Sequence, residues 1–367
     1  MKNFTISILF VFSGFFLTQI VPISPFHISL VTGIYLFLLI MIKKQSLIKE
    51  CLIVQVMLTS IYFFGEQLLV EGDLKVTISI LYSLIYLPIG IILLYKENYF
   101  NILKISNRFI NWSLMLLIIE CFYRLSNPNS SYISAVKAQG NSQYIFYAYK
   151  FNSIMYNDSN FVAIFILCVF FFTLYLNKYH NVKYRFQLAS LFILCILTLG
   201  RASITSLVFC LLLFQIIDKM KKYRINYLIV SMFIIMVIIG GIVLGYFSFS
   251  QDSSFISKFQ ILYLAFKNVN SWGVKDLLLG VGFNNAPKIL NISAHNFLLV
   301  YFFESGVIGL SLILFLIYVI TIKTNYRGLY IILPFLISGM SFAPYAIPYF
   351  YAILGAIYVL ENRKGIK

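Results

Sequence analysis

The sequence predicts an all-α, polytopic membrane protein with about twelve transmembrane helices and both termini in the cytoplasm. Of its 367 residues, 61% are hydrophobic and only 11% are charged, and the mean hydropathy is +0.90. Because a soluble chain of this length carries far more charge, the helices must be solvated by lipid. A hydrocarbon core of about 30 Å needs about 20 apolar residues per helical span. The apolar runs lie at 5–21, 27–42, 51–70, 76–94, 109–122, 160–176, 187–199, 202–217, 227–247, 296–320, 329–342 and 349–360.

The distribution of basic residues predicts the orientation. With the N-terminus inside, the cytoplasmic segments hold 19 of the 28 Lys and Arg residues, and the outer segments hold the other nine. The net charge of +16 is spread over many short segments and forms no single basic face, which argues against nucleic acid as a partner. The expected surroundings are membrane lipids, and the whole chain, 1–367, is expected to form one transmembrane domain.

Two long segments are predicted on the outer side, at 126–159 and 248–295. The first carries several tyrosines among Ser and Asn, a mixture that suits a sugar ring, although an interfacial aromatic belt is an equal alternative. The second contains the run 255–269, whose apolar residues recur at helical spacing and predict an amphipathic helix on the membrane surface. The cytoplasmic segments are too short for a nucleotide-binding βαβ unit, which argues against a soluble activated donor.

The cysteines and acidic residues give no sign of a metal site. All five cysteines fall within predicted spans without paired spacing, which is typical of packing residues. The outer aspartates are scattered and form no carboxylate pair that would hold a divalent cation. No metal and no cofactor is therefore expected.

Arg201 stands between two predicted spans at their outer ends. A guanidinium at membrane depth is costly unless it meets water, a partner or an anionic ligand, and its planar fork of donors suits a phosphate or pyrophosphate. A snorkelling turn residue is the alternative. Glu120 and Arg124 lie one helical turn apart and are interpreted chiefly as a local pair.

The segment around His295 is the richest in polar groups. Gly280 and Gly282 allow tight turns, and His295 and Asn296 lead directly into the next predicted span. A neutral imidazole at the outer surface is able to take a proton from a sugar hydroxyl, whereas a helix-capping cluster is the alternative. Glu304 follows inside the span and needs a partner, which Arg201 or a tyrosine could supply. A proton relay through Glu304 is a weaker interpretation than structural pairing.

Three motifs together resemble the O-antigen ligase and Wzy-type O-antigen polymerase superfamily of bacterial membrane glycosyltransferases with the GT-C type of fold. They are LTLGRAS at 197–203, GVGFNN followed by AHNFLLVYFFESGVIG within 280–309, and DSNFVA at 158–163. The resemblance covers 158–309, and the N-terminal half matches only in its helix count. It implies a bacterial inner-membrane, multi-pass enzyme that acts without metal or nucleotide.

The resemblance also implies a substrate and roles for residues. The substrate would be an undecaprenyl-pyrophosphate-linked glycan, with Arg201 on the pyrophosphate and His295 activating the acceptor hydroxyl. The sequence departs from the family in having few outer arginines, so Lys258 and Lys267 are expected to share the anion-binding role. The substrate-binding residues expected are Arg124, Lys258, Lys267, Asn296, Glu304 and Asp158.

Within the family, a polymerase of O-antigen or another surface polysaccharide is favoured over a ligase by analogy with other small chains rich in Ile, Phe, Tyr and Lys. A chain-length regulator and a flippase would be its partners. A lipid-linked oligosaccharide flippase or transporter is the alternative from another class. Transporters commonly have two similar halves, whereas the two long outer segments here give the halves different shapes.

Overall fold

The computed structural model describes residues 2–15, 17, 24–43, 51–138, 142–156, 158–223, 253–291, 295–341 and 345–364. In this part of the chain every regular element is a helix, and no strand occurs beyond one isolated bridge. The helices are α1 Lys2–Gly14, α2 Pro25–Lys43, α3 Cys51–Leu69, α4 Leu74–Tyr95, α5 Tyr99–Ser126, α6 Ser130–Ala138, α7 Ser159–His180, α8 Arg185–Leu197, α9 Arg201–Tyr223, α10 Ser253–Val269, α11 Val274–Leu279, α12 Ala286–Leu290, α13 Phe297–Lys323, α14 Leu329–Ser338 and α15 Pro348–Lys364.

Six of the described helices are long and apolar enough to cross a membrane, namely α3, α4, α5, α7, α9 and α13. Three shorter apolar helices lie at Asn3–Gly14, Arg185–Leu197 and Leu329–Ser338. The prediction of an all-α, polytopic membrane protein is therefore confirmed. The count of twelve spans and the orientation stay predictions, and the predicted span at 227–247 lies outside the described residues.

Close helix packing places α4 and α15 side by side. A Cβ on Gly90 of α4 would lie 3.2 Å from the carbonyl oxygen of Ala352, and a Cβ on Gly355 of α15 would lie 3.0 Å from the carbonyl oxygen of Leu87. Small residues at such contacts let helix backbones approach, which is how helices associate in lipid, where burial of apolar area contributes little. Helix α7 packs against α15 and is the most buried of the six long helices.

Hydrogen bonds between helix termini define two ends of the bundle. At one end, which we call the site end, Ser159 at the start of α7 donates to the carbonyl of Thr198 just before α9. At the opposite end, His180 bonds Tyr99 of α5 and Tyr175 of α7 at 2.7 Å each. The helices α7, α9 and α13 begin at the site end, and α14 ends there.

The two segments predicted as long outer loops contain helices. The first holds α6 and the 3-10 helix Ser142–Tyr149. The second holds α10, whose bounds of Ser253–Val269 contain the amphipathic helix predicted at 255–269. Ile261 and Ala265 of α10 are buried, while Tyr263 and Phe266 are exposed. The exposed aromatic rings give α10 an apolar outer face, and its contact with a membrane surface stays a prediction.

Candidate functional site

Arg201 is the first residue of α9 and follows a tight turn. Leu199 has a φ of 58°, and Gly200 lies so close to α7 that an added Cβ would be 3.2 Å from a side-chain carbon. The hydroxyl of Ser159 donates to the carbonyl of Thr198 at 2.6 Å. The start of α7 therefore holds the turn, and the turn presents the exposed side chain of Arg201 at the site end.

Two cations lie close to the ring of Tyr147. The guanidinium carbon of Arg201 lies 5.8 Å from the ring centre, and the ammonium nitrogen of Lys150 lies 5.9 Å from it. Distances of this size allow an attraction between each cation and the π face. Tyr147 and Lys150 belong to the segment between α6 and α7, so this segment and the start of α9 form one basic and aromatic surface.

Lys150 shares an electrostatic neighbourhood with Arg201 and Asp158. Its ammonium nitrogen is 3.8 Å from a carboxylate oxygen of Asp158. Burial lowers the pKa of Lys150 below its usual value; the negative charge of Asp158 works against this shift, and the positive charge of Arg201 adds to it. Two positive charges held close together in this way favour an anionic ligand.

Asp158 is the N-cap of α7. One of its carboxylate oxygens accepts from the backbone N–H of Asn160 at 2.9 Å, and the other accepts from the side-chain amide of Asn160 at 3.0 Å. The N–H of Ser159 donates to the carbonyl of Lys150 at 3.0 Å, which holds Lys150 beside the cap. Asp158, which was expected to bind substrate, caps α7 and lies beside Lys150.

Arg124 is fully buried, and its donors face the protein. It donates to Glu120 at 3.0 Å, to the carbonyl of Tyr149 at 2.8 Å and to the carbonyl of Leu197 at 3.1 Å. The predicted local pair with Glu120 is confirmed. Arg124 thereby fixes both the segment that carries Tyr147 and the end of α8 that precedes Arg201, without being exposed itself.

The GVGFNN segment crosses α13 closely at Gly306, and Gly280 and Gly282 of that segment lie at the crossing. Helix α13 is broken at Gly306, where φ is 66° and ψ is −172°. The N–H groups of Val281 and Gly282 donate to the carbonyls of Phe303 and Glu304 at 3.1 and 3.0 Å. An added Cβ on Gly306 would lie 2.2 Å from the carbonyl oxygen of Leu278, so only glycine fits there.

Glu304 lies just before this break, completely buried. The hydroxyl of Tyr345 is 2.9 Å from both carboxyl oxygens, and the N–H of Ala286 donates to one of them at 3.4 Å. The partner that the sequence required is therefore a tyrosine, with α12 contributing a backbone group. A buried acid needs such donors because it has lost its water.

The turn between α3 and α4 forms hydrogen bonds with the GVGFNN segment. The side-chain amide of Asn284 donates to Asp73 at 3.0 Å, and the N–H of Asp73 donates to the carbonyl of Phe283 at 3.0 Å. The N–H of Phe283 donates in turn to the side chain of Gln67. The hydrogen bond from Asn284 lowers the pKa of Asp73, with the N–H groups that Asp73 caps adding to it. The GVGFNN segment is thus fixed on both sides.

His295 and Asn296 lie just before α13, where the sequence left a base and a helix cap as alternatives. The side-chain oxygen of Asn296 accepts from the N–H groups of Leu298 and Leu299 at 3.1 Å each, so Asn296 caps α13. The side chain of His295 is exposed. The capping role therefore belongs to Asn296.

The end of α14 connects the start of α9 with the start of α13. The hydroxyl oxygens of Ser203 and Ser338 are 2.6 Å apart. A Cβ on Gly339 would lie 3.1 Å from the Cβ of Phe297. Because Arg201 is two residues before Ser203 and His295 is two residues before Phe297, both are brought to the site end.

No described contact joins Lys267 of α10 to this group. Lys267 is exposed on α10, and the side chain of Lys258 lies outside what the structure describes.

Sequence reasoning did not single out Lys150 and Tyr345. Lys150 was one cation among several in a long segment, and Tyr345 is 41 residues from its partner Glu304, so no local pattern marked either residue.

The geometry defines a helical membrane protein with a basic and aromatic surface at one end of the bundle. No protein-family model and no curated protein matches the chain.

Proposed function

We propose that this protein is a membrane glycosyltransferase that polymerises a surface polysaccharide, such as O-antigen, from undecaprenyl-pyrophosphate-linked repeat units at the periplasmic face of the bacterial inner membrane. The observation that carries the proposal is that Arg201, Lys150 and Tyr147 meet at the bundle end to which His295 is also brought. Cations at the membrane surface suit a pyrophosphate, and an exposed imidazole suits a sugar hydroxyl. The resemblance of the three motifs adds to this argument.

Arg201 and Lys150 hold the donor's pyrophosphate in this account. The planar guanidinium of Arg201 makes paired hydrogen bonds to phosphate oxygens, and Lys150 adds a point charge. The N–H groups at the start of α9 point toward the same anion. Tyr147 offers a ring face to the first sugar. The polyprenyl chain of the donor lies in the lipid, which keeps the reacting carbon at the membrane surface.

His295 is the base in the transfer step. A hydroxyl oxygen of the acceptor glycan attacks the anomeric carbon of the donor and forms the new glycosidic bond. The bond between that carbon and the pyrophosphate oxygen breaks, and the leaving pyrophosphate keeps the electron pair. His295 takes the hydroxyl proton and later releases it to the leaving group or to water. The positive charges of Arg201 and Lys150 stabilise the negative charge that develops on the leaving group.

A ligase or a flippase would act on the same lipid-linked glycan with a different outcome. A ligase transfers the glycan to a different acceptor lipid, and a flippase moves it across the membrane without changing its length. Only a polymerase joins two lipid-linked units. A chain-length regulator and a flippase are the partners that the proposed function requires.

Deletion of the gene in its own host tests the class of function. We expect lipid-linked single repeat units to accumulate on the outer side, and long polysaccharide to return when the gene is restored. Single units that remain on the cytoplasmic side would indicate a flippase. Long lipid-linked chains that never reach an acceptor would indicate a ligase.

A further inference from the structure

A cavity lies at the opposite end of the bundle from the proposed site, where the ends of α7 and α9 meet the start of α14. Its volume is about 260 Å³, which is about nine times the volume of ~30 Å³ that one water occupies in the liquid. The space therefore admits a small polar group together with the first part of an apolar chain.

The polarity of the cavity wall changes along the helix axes. Asp218 of α9 and Arg327, just before α14, contribute charged groups near the helix ends. Phe214 of α9 and Leu333 of α14 lie about one helical turn further into the bundle and contribute apolar groups. A phospholipid has the same order, with a polar head group at the membrane surface and acyl chains below it. The cavity therefore has the polarity of a lipid-binding site.

Charges of both signs meet at this cavity. Arg327 donates to Glu361, and Lys178 donates to Asp218, so these two ion pairs balance each other in charge. Each sign still has capacity for a ligand. Arg327 has five N–H donors, of which Glu361 takes one, and the side chain of Asp218 is 47% exposed. A ligand that carries one negative and one positive group would find a partner for each.

Aromatic rings surround the charged groups of the cavity. The guanidinium carbon of Arg327 lies 4.4 Å from the ring centre of Tyr179. The rings of Phe214 and Tyr330 stack with their centres 4.2 Å apart, and both residues line the cavity with Asp218. Because the face of an aromatic ring attracts cations, the wall beside Asp218 suits an ammonium group as well as a hydrocarbon chain.

The turn that carries Arg327 has an unfavourable backbone conformation. Asn325 and Tyr326 have φ values of 51° and 62°, in a region that bulky L-residues rarely adopt. Hydrogen bonds hold the turn, since the N–H of Tyr326 donates to the carbonyl of Thr321 at 2.8 Å and that of Arg327 to the carbonyl of Thr324 at 3.0 Å. Such conformations persist where the surrounding structure enforces them and are common at binding sites.

We propose that this cavity binds the head group of a zwitterionic phospholipid that carries a primary ammonium group, as phosphatidylethanolamine does. The phosphate accepts from N–H groups of Arg327, and the ammonium group donates to the carboxylate of Asp218. One acyl chain begins along Phe214, Ile217 and Leu333 and continues into the bilayer. A net-anionic head group would bring no cation to Asp218. This inference does not rest on the proposed glycosyltransferase function.

Lipid binding to the full-length protein in detergent, measured by native mass spectrometry, tests the preference for this head group. The probes are phosphatidylethanolamine and phosphatidylglycerol with identical acyl chains. Because only the first supplies an ammonium group for Asp218, we expect the wild-type protein to bind it about tenfold more tightly. Equal affinities, or tighter binding of phosphatidylglycerol, would show that the proposal is wrong.

Glycerophosphoethanolamine, which has the same head group without acyl chains, distinguishes a lipid from a soluble ligand. Since each buried methylene adds to the affinity of the lipid, we expect displacement of bound lipid only at a concentration at least about a hundredfold higher. Displacement at equal concentration would assign the cavity to a soluble phosphate compound and overturn the lipid assignment.

Charge variants locate the head group in the cavity. Arg327→Lys loses the planar fork of donors and should weaken binding of phosphatidylethanolamine about tenfold. Arg363→Lys is the matched control and should bind like the wild-type protein. Arg363 also donates to an oxygen of the protein and lies 5.3 Å from a tyrosine ring centre at the same end of the bundle, but it does not line the cavity. Asp218→Asn should reduce the preference for phosphatidylethanolamine over phosphatidylglycerol.

Ile217→Trp fills the cavity without changing any charge and covers the case in which Arg327→Lys does not fold. Ile216→Trp is its control, because Ile216 is the preceding residue of α9, is 38% exposed and does not line the cavity. Weaker lipid binding by either cavity variant than by its control, in folded protein, supports the proposal. If Arg327→Lys and Ile217→Trp both bind phosphatidylethanolamine as tightly as their controls, the lipid does not occupy this cavity and the proposal is wrong.

Discussion

The guanidinium carbon of Arg201 lies 5.8 Å from the ring centre of Tyr147, although the two residues belong to different helical segments. Lys150 approaches the same ring at 5.9 Å. The two cations and the tyrosine ring give the site end a surface that combines positive charge with a flat aromatic face. The proposed transfer reaction requires both this surface and His295.

Arg201→Lys should lower polymerising activity about ten- to a hundredfold, because it keeps the charge but loses the planar fork, and hydrogen bonds to charged groups contribute about 1.5–3 kcal/mol. Arg185→Lys is the matched control, since Arg185 is also exposed and also begins a helix, at the opposite end of the bundle. The measurement is the rate of chain elongation by purified protein with lipid-linked repeat units. Equal rates for both variants would remove Arg201 from the site.

The lowered pKa of Lys150 predicts how the apparent KM for the donor depends on pH. Its pKa lies below the usual 10.5, so its positive charge is lost at a lower pH than that of an ordinary lysine. Since the anionic donor prefers the charged form, the apparent KM for the donor should rise as the pH increases through this pKa. Lys150→Arg should abolish the rise because arginine stays protonated. Lys137→Arg, at an exposed lysine of α6, should leave the rise unchanged.

Gly306→Ala should destabilise the protein strongly. The residue has a φ of 66°, and an added Cβ would lie 2.2 Å from the carbonyl oxygen of Leu278. The backbone strain alone costs about 1–3 kcal/mol, and the steric clash adds to it. Gly65→Ala in α3 is the control, because an added Cβ there meets nothing within 4 Å. The fraction of protein that stays folded on heating in detergent should fall for Gly306→Ala only.

Glu304 and Tyr345 should be energetically coupled. Tyr345→Phe removes the hydroxyl that contacts both oxygens of a fully buried carboxyl group, and an unsatisfied buried group costs about 1–3 kcal/mol. Combining Tyr345→Phe with Glu304→Leu should cost less than the sum of the single changes, with a coupling of about 0.5–3 kcal/mol in unfolding free energy. Strict additivity would show that the contact does not contribute to stability.

The sequence was sufficient to predict features that depend on local spacing. Hydropathy predicts the long apolar helices, helical periodicity predicts α10, and a four-residue interval predicts the pair of Glu120 and Arg124. Such features require only the geometry of a single helix. The position of Arg201 between two apolar runs likewise follows from the order of residues alone.

Contacts between distant parts of the chain were beyond the sequence. Asp73 and Asn284 are 211 residues apart, and no periodicity relates them. The break of α13 at Gly306 was also missed, because a glycine within an apolar run is compatible with an unbroken helix. The break becomes necessary only when the backbone of Gly280 occupies the space beside it.

The most direct test of the proposed function is glycan elongation by purified protein in liposomes containing undecaprenyl-pyrophosphate-linked repeat units from the gene-deletion strain. The wild-type protein and His27→Gln, a change at another exposed histidine, should both produce long chains. His295→Gln keeps a polar side chain but supplies no comparable base, so its rate should fall about 10²- to 10⁴-fold. If wild-type protein makes no long chains, or if His295→Gln at equal abundance makes them at the wild-type rate, the account is contradicted.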